Sequence, residues 1–89
     1  MNKGILLSGL LLFSSGVLAD CESGHWIKTK SEDGTILTLE DGSVWKVLNG
    51  GEVDSQLWVD ADDVLVCDDG TIINKDEDNE QVDVQLLSH

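Results

Sequence analysis

Few residues in this chain have the makings of chemistry. His25 and His89 are its only imidazoles, and residues 20–89 offer five hydroxymethyl side chains, Ser23, Ser31, Ser43, Ser55 and Ser88. A nucleophilic serine needs a base held within hydrogen-bond reach, usually inside a cleft. Here no serine lies in a Gly-x-Ser-x-Gly setting, His89 ends the sequence, and His25 falls near the edge of the expected domain. Carboxylates number 18, so pairs of acids approach one another by abundance alone. A small domain also has little room for the cleft that an acid–base pair requires. The reading is a non-catalytic protein, and no motif asks for a cofactor.

Metal chemistry has one linear candidate. Asn74-x-Asp76-x-Asp78 matches the first three ligand places of a calcium loop, but Asn79 stands where the glycine belongs and Gln85 where the bidentate glutamate belongs. The expectation is a solvated hairpin turn, with no metal assigned. Asp60, Asp62, Asp63, Asp68 and Asp69 bracket one apolar run, and nothing in their spacing fixes a geometry. Zinc lacks a ligand set in the sequence, because the two histidines lie far apart and both cysteines are expected in a disulfide. Trp26, Trp45 and Trp58 are the only aromatics after residue 19. Trp45 reads as core. Trp58, between turn-rich stretches, is the candidate partner-binding residue.

Met1-Asn2-Lys3, the apolar run Gly4–Phe13 and the small-residue end Val17-Leu18-Ala19 have the three parts of a secretory signal. The run is too short to span a bilayer of ~30 Å and no basic stop follows it. The expected product is residues 20–89, released by cleavage between Ala19 and Asp20. Cys21 stands close behind the signal, as in a lipoprotein, but Asp20 is a poor residue to precede a lipidated cysteine. Cys21 and Cys67, the chain's two cysteines, are therefore expected as a disulfide in a periplasmic or secreted protein. That bond encloses most of the domain and contributes about 4 kcal/mol in the chain-entropy model. No Cys-x-x-Cys spacing suggests a redox role.

Residues 20–89 hold all 18 acids and four of the five lysines, with no arginine, which leaves a formal charge of −14. Nucleic acid and anionic lipid are excluded as partners, since both require clustered cations, and no membrane insertion is expected of this part. Glycine with an acidic or amide neighbour recurs at Asp33-Gly34, Asp41-Gly42, Asn49-Gly50-Gly51 and Asp69-Gly70, as hairpin connectors do. Between these lie seven short runs rich in Val, Ile, Leu, Thr and Trp: His25–Lys30, Thr35–Glu40, Ser43–Leu48, Gln56–Val59, Val64–Cys67, Thr71–Asn74 and Gln81–Leu87. The pattern predicts an all-β domain of about six short antiparallel strands. A small SH3-like barrel is favoured over an open sandwich, because closure removes edges that a chain without proline cannot blunt. A two-residue Asp41-Gly42 turn would pair Leu39 with Val44 and Thr38 with Trp45, leaving both hairpin faces apolar.

The stretch Gly34–Val47, with Leu57-Trp58 and Asp63–Val66 after it, resembles a loose set of short bacterial exported proteins. They share a glycine, an apolar strand, Asp-Gly-Ser-x-Trp and a later Trp before a Val-rich strand. The resemblance covers about half of residues 20–89 and implies a compact β domain. Its relatives have no established activity, so it implies no catalytic residue. Together these readings predict a small exported binding module that docks a basic protein partner. The alternatives are a passive acidic envelope protein with weak divalent-cation binding, or an inhibitor of a cationic secreted hydrolase.

Overall fold

A computed structural model describes residues 20–89; the expected signal over residues 1–19, including Ala19 of its cleavage junction, lies outside the described residues. Six strands and one helical turn make up the described chain: β1 Cys21–Lys30, β2 Ile36–Leu39, β3 Val44–Leu48, α1 Glu52–Ser55, β4 Asp63–Cys67, β5 Thr71–Asn74 and β6 Glu80–Ser88. They close into an antiparallel barrel in the order β1-β2-β3-β6-β5-β4, with β4 returning to β1. The all-β class and barrel closure expected from the sequence are both present.

The chain draws the barrel as two three-stranded meanders, β1-β2-β3 and β4-β5-β6, joined through α1. Closure falls to the two longest strands. β1 pairs with β4 through its first half (Cys21 opposite Cys67, Trp26 opposite Asp63) and with β2 through its second (Ile27 opposite Leu39, Lys30 opposite Leu37). β6 likewise pairs with β5 at its start and with β3 at its end. The expected Cys21–Cys67 disulfide is formed, across a directly opposed pair.

The hairpin β2-β3 is offset by one residue from the sequence expectation. Leu37 lies opposite Trp45 and Thr38 opposite Val44, because the connection has three residues rather than two. The Gly42 N–H bonds to the Leu39 carbonyl, the Leu39 N–H bonds to the Ser43 carbonyl, and Gly42 has φ +87°. A tight turn followed by a left-handed glycine adds one residue to the loop, and a one-residue slip exchanges the faces of one strand relative to the other. With the observed register Leu37, Leu39, Trp45 and Val47 all point inward, while Thr38, Val44 and Lys46 face out. The two apolar faces of the expected register were a product of the wrong pairing.

Gln56–Val59, expected as a strand, forms none. Gly50 takes φ +78° and a helical turn starts at Gly51, held by bonds from the Ser55 N–H to the Gly51 carbonyl and from the Gln56 N–H to the Glu52 carbonyl. Two further reverse bonds, Leu57 to Asp54 and Trp58 to Ser55, carry the turn forward. Trp58 then enters the core with Ile27, Leu37, Leu39, Val47, Val64, Ile72, Val82 and Val84. A small barrel interior needs one large filler, and Trp58 is the largest fully buried side chain.

The turn after β1 is fastened to α1. The Ser55 hydroxyl, fully buried, donates to the Gly34 carbonyl at 2.6 Å. Gly34 has φ +77°, and a Cβ there would overlap the backbone nitrogen of Gln56 and lie 2.6 Å from its Cα. Gly34→Ala combines a left-handed side chain with a backbone collision, and should lower stability by about 2–4 kcal/mol in chemical denaturation. Reduction of Cys21–Cys67 should be as damaging. A domain of this size has ~3–5 kcal/mol to lose, and about 4 kcal/mol of loop constraint disappears with the bond. The oxidised chain should weigh two hydrogens less than the reduced one and melt far higher.

Candidate functional site

The first half of β1 carries a bulge. Glu22 lies opposite Val66 but His25 opposite Val64, so one residue is extra, and Gly24 absorbs it at φ +83°. Bulges bend a strand and re-aim the side chain that follows. Here that side chain is His25, which lies half-buried between two carboxylates. Its Nδ1 is 2.9 Å from Glu40 Oε2 and its Nε2 is 3.0 Å from Glu22 Oε1. Both nitrogens are satisfied together only when both carry a proton. The hydrogen bond to Glu22 holds the imidazole pKa above its usual value; partial desolvation opposes this, and Glu40 and then the charge of Asp41 reinforce it.

Glu40 and Asp41 occupy the turn after β2, and each is oriented by its own partners. Glu40 Oε1 accepts the Trp26 N–H at 3.1 Å, while the Glu40 N–H bonds to the Trp26 carbonyl. Asp41 Oδ1 accepts the Ser43 hydroxyl at 2.6 Å and the Ser43 N–H at 2.9 Å, and Ser43 Oγ accepts the indole N–H of Trp45 at 2.8 Å. The two Ser43 bonds hold the Asp41 carboxyl below the usual carboxylate range, helped by the nearby histidines. Asp41 Oδ2 lies 3.5 Å from Nε2 of His89, which the pairing of Val44 with Ser88 brings alongside the turn. Ligand-type atoms of His25, Glu40 and Asp41 all lie within 4.8 Å of one another. His25 and Asp41 border a cleft of about 240 Å³, walled also by Glu22, Trp45, Leu86 and His89.

The sequence candidates fare unevenly. Trp58 is 0 % exposed, and its indole N–H donates to Glu80 Oε1 at 2.8 Å; as a solvent-facing anchor it is corrected to a core residue. Its neighbours take the opposite orientation. Leu57 is 72 % and Val59 55 % exposed, with Val53 one helical turn before Leu57 at 66 %. Trp26, which attracted no functional expectation, is 45 % exposed. Of the calcium-loop candidates Asn74, Asp76 and Asp78, the first two are engaged in bonds to neighbouring segments. The buried Asn74 amide donates to Asp62 Oδ2, its oxygen accepts the Asp76 N–H, and Asp76 Oδ2 accepts the Asp63 N–H. These bonds, with the Val59 N–H on Asp62 Oδ2, pin the segment after α1 to the β5–β6 turn.

The convergence of His25, Asp41 and His89 escaped the sequence reading because no linear spacing encodes it. Three segments meet through the β1 bulge, the β2–β3 turn and the β3–β6 pairing. No family model, curated protein or solved structure matches the chain.

The raised pKa of His25 has a sign for stability. The stabilisation is fully present below the unfolded histidine value of about 6.5, and is lost as pH rises through the higher folded value. In metal-free buffer, wild type should lose stability relative to His25→Gln on the alkaline side of pH ~6.5. Taking the difference from that variant removes the background titration of the other acids. Nuclear magnetic resonance of the His25 ring should titrate above the free-histidine midpoint, and Glu22→Gln should move it down.

Proposed function

We propose that the protein is an exported acidic binding module which docks a basic segment of a protein partner, in the envelope or outside the cell. The observation that carries this reading is the surface around α1. Val53, Leu57 and Val59 are exposed, and Glu52, Asp54 and Asp60 interleave with them in the chain. An exposed aliphatic group rimmed by charge of one sign suits an amphipathic partner of the opposite sign, and the charge of −14 over residues 20–89 adds long-range attraction. The rigid base is supplied by Trp58, Asp62 and Asn74, which hold this segment against the barrel. The disulfide is consistent with an oxidising compartment.

A fluorescent amphipathic peptide of lysine and leucine is a suitable probe. It should bind saturably and more weakly as salt rises. The double variant Leu57→Ser, Val59→Ser should weaken it at least tenfold, with stability changed by no more than about 0.5 kcal/mol. Trp58→Ala should behave differently, costing about 3–5 kcal/mol of stability. Binding that survives the double variant and is matched by a lysine–serine peptide would reduce the surface to bulk charge and sink the proposal.

A further inference from the structure

At the other end of β6 from Glu80 and Trp58, the cleft between β1, the β2–β3 turn and the end of β6 holds an arrangement independent of the docking surface. His25 Nδ1 faces Glu40 at 2.9 Å, and an Asp41 carboxylate oxygen lies within 4.8 Å of ligand-type atoms of both. His89 Nε2 approaches the Asp41 oxygen that Ser43 leaves unused. The groups behind these are those that a metal site needs. The far nitrogen of His25 is on Glu22, which makes a carboxylate–histidine pair with its second nitrogen turned to the cluster. Asp41 is fixed by Ser43, and Ser43 by Trp45. Partners of this kind fix ring orientation and raise the basicity of the ligating nitrogen.

We propose that His25, Glu40, Asp41 and His89 form a binding site for a divalent transition-metal ion of the zinc class. Two imidazoles and two carboxylates are a nitrogen–oxygen set that suits zinc and its neighbours better than calcium, which takes six or more oxygens. Ligand-type atoms of His25, Glu40 and Asp41 lie within 4.8 Å of one another, and His89 Nε2 lies 3.5 Å from Asp41 Oδ2; the four side chains must draw together to lie ~2.0–2.2 Å from a shared ion. The ion replaces the proton on His25 Nδ1, while Nε2–H remains on Glu22. Binding therefore displaces a proton; Glu22 and Glu40 are hydrogen-bonded to the ring, Asp41 lies beside it, and His89 faces Asp41.

Calorimetric titration of zinc chloride into the purified disulfide-bonded protein tests the site. One ion per chain is expected, with a rise in melting temperature. His25→Gln and Asp41→Asn should each weaken binding at least tenfold. Glu22→Gln, a positioning change, should weaken it about tenfold. Each variant is melted without metal to establish that it folds. A readout on the unaltered chain removes dependence on the variants: substoichiometric cobalt(II) should broaden the ring resonances of His25 and His89 before any other side chain. Equal responses to calcium and zinc, affinity within twofold of wild type in a folded His25→Gln, or cobalt broadening confined to carboxylates elsewhere would each overturn the site.

Discussion

The barrel depends on its two longest strands, each of which bridges one meander to the other. β1 is the only strand of the first meander that reaches the second through β4, and β6 makes the reciprocal connection to β3. An open six-stranded sheet of this length would leave two edges with bare N–H and C=O groups, and the chain has no proline to blunt them. Closure satisfies those groups and gives nine apolar residues a common interior. The disulfide sits on the pairing that closes the ring, where a lost constraint matters most.

A strand that must serve two neighbours has to bend, and the bends generate the site. β1 departs from regular register twice, between Glu22 and His25 and between Ile27 and Thr29. The first bulge turns His25 toward the β2–β3 turn instead of leaving it on the outer surface. The extra residue in that turn sets Asp41 beside it, and the same offset aligns the inward faces of β2 and β3. Core packing and the polar cluster thus share a geometric origin. The opposite end of β6 is built differently, with an indole and a carboxamide buried against carboxylates of Glu80 and Asp62.

Much of the architecture was legible. Asp-Gly and Asn-Gly steps located the strand boundaries, and two cysteines in the chain left one possible intramolecular disulfide. The alternation of Val82, Val84 and Leu86 with Asp83 and Gln85 marked an inward face of β6 that holds for the two valines, whereas Leu86 is 47 % exposed. Register was less legible, because Glu40-Asp41-Gly42 forms a three-residue loop from letters that serve equally well for two. The run Gln56–Val59 misled because a short β-like composition was needed inside the barrel as a single tryptophan, with its neighbours left outside. Leu57 and Val59 flank Trp58 in sequence but not in environment. The polar cluster was illegible for a stronger reason: His25 and His89 lie at opposite ends of residues 20–89, and their approach follows only from strand pairing.

Two meanders that close on each other also set the order of events during folding. Neither can cover its own apolar face, so half of the molecule offers little to nucleate on. The decisive contacts join residues far apart in sequence, 46 positions in the case of Cys21 and Cys67. Such non-local closure places the barrel among slow two-state folders, in the millisecond-to-second range. Cys21 is made early and has one intramolecular partner, which arrives with β4. Oxidation therefore involves no sorting among alternative intramolecular bonds, and the rate of acquiring the covalent link is governed by how soon the ring of strands meets.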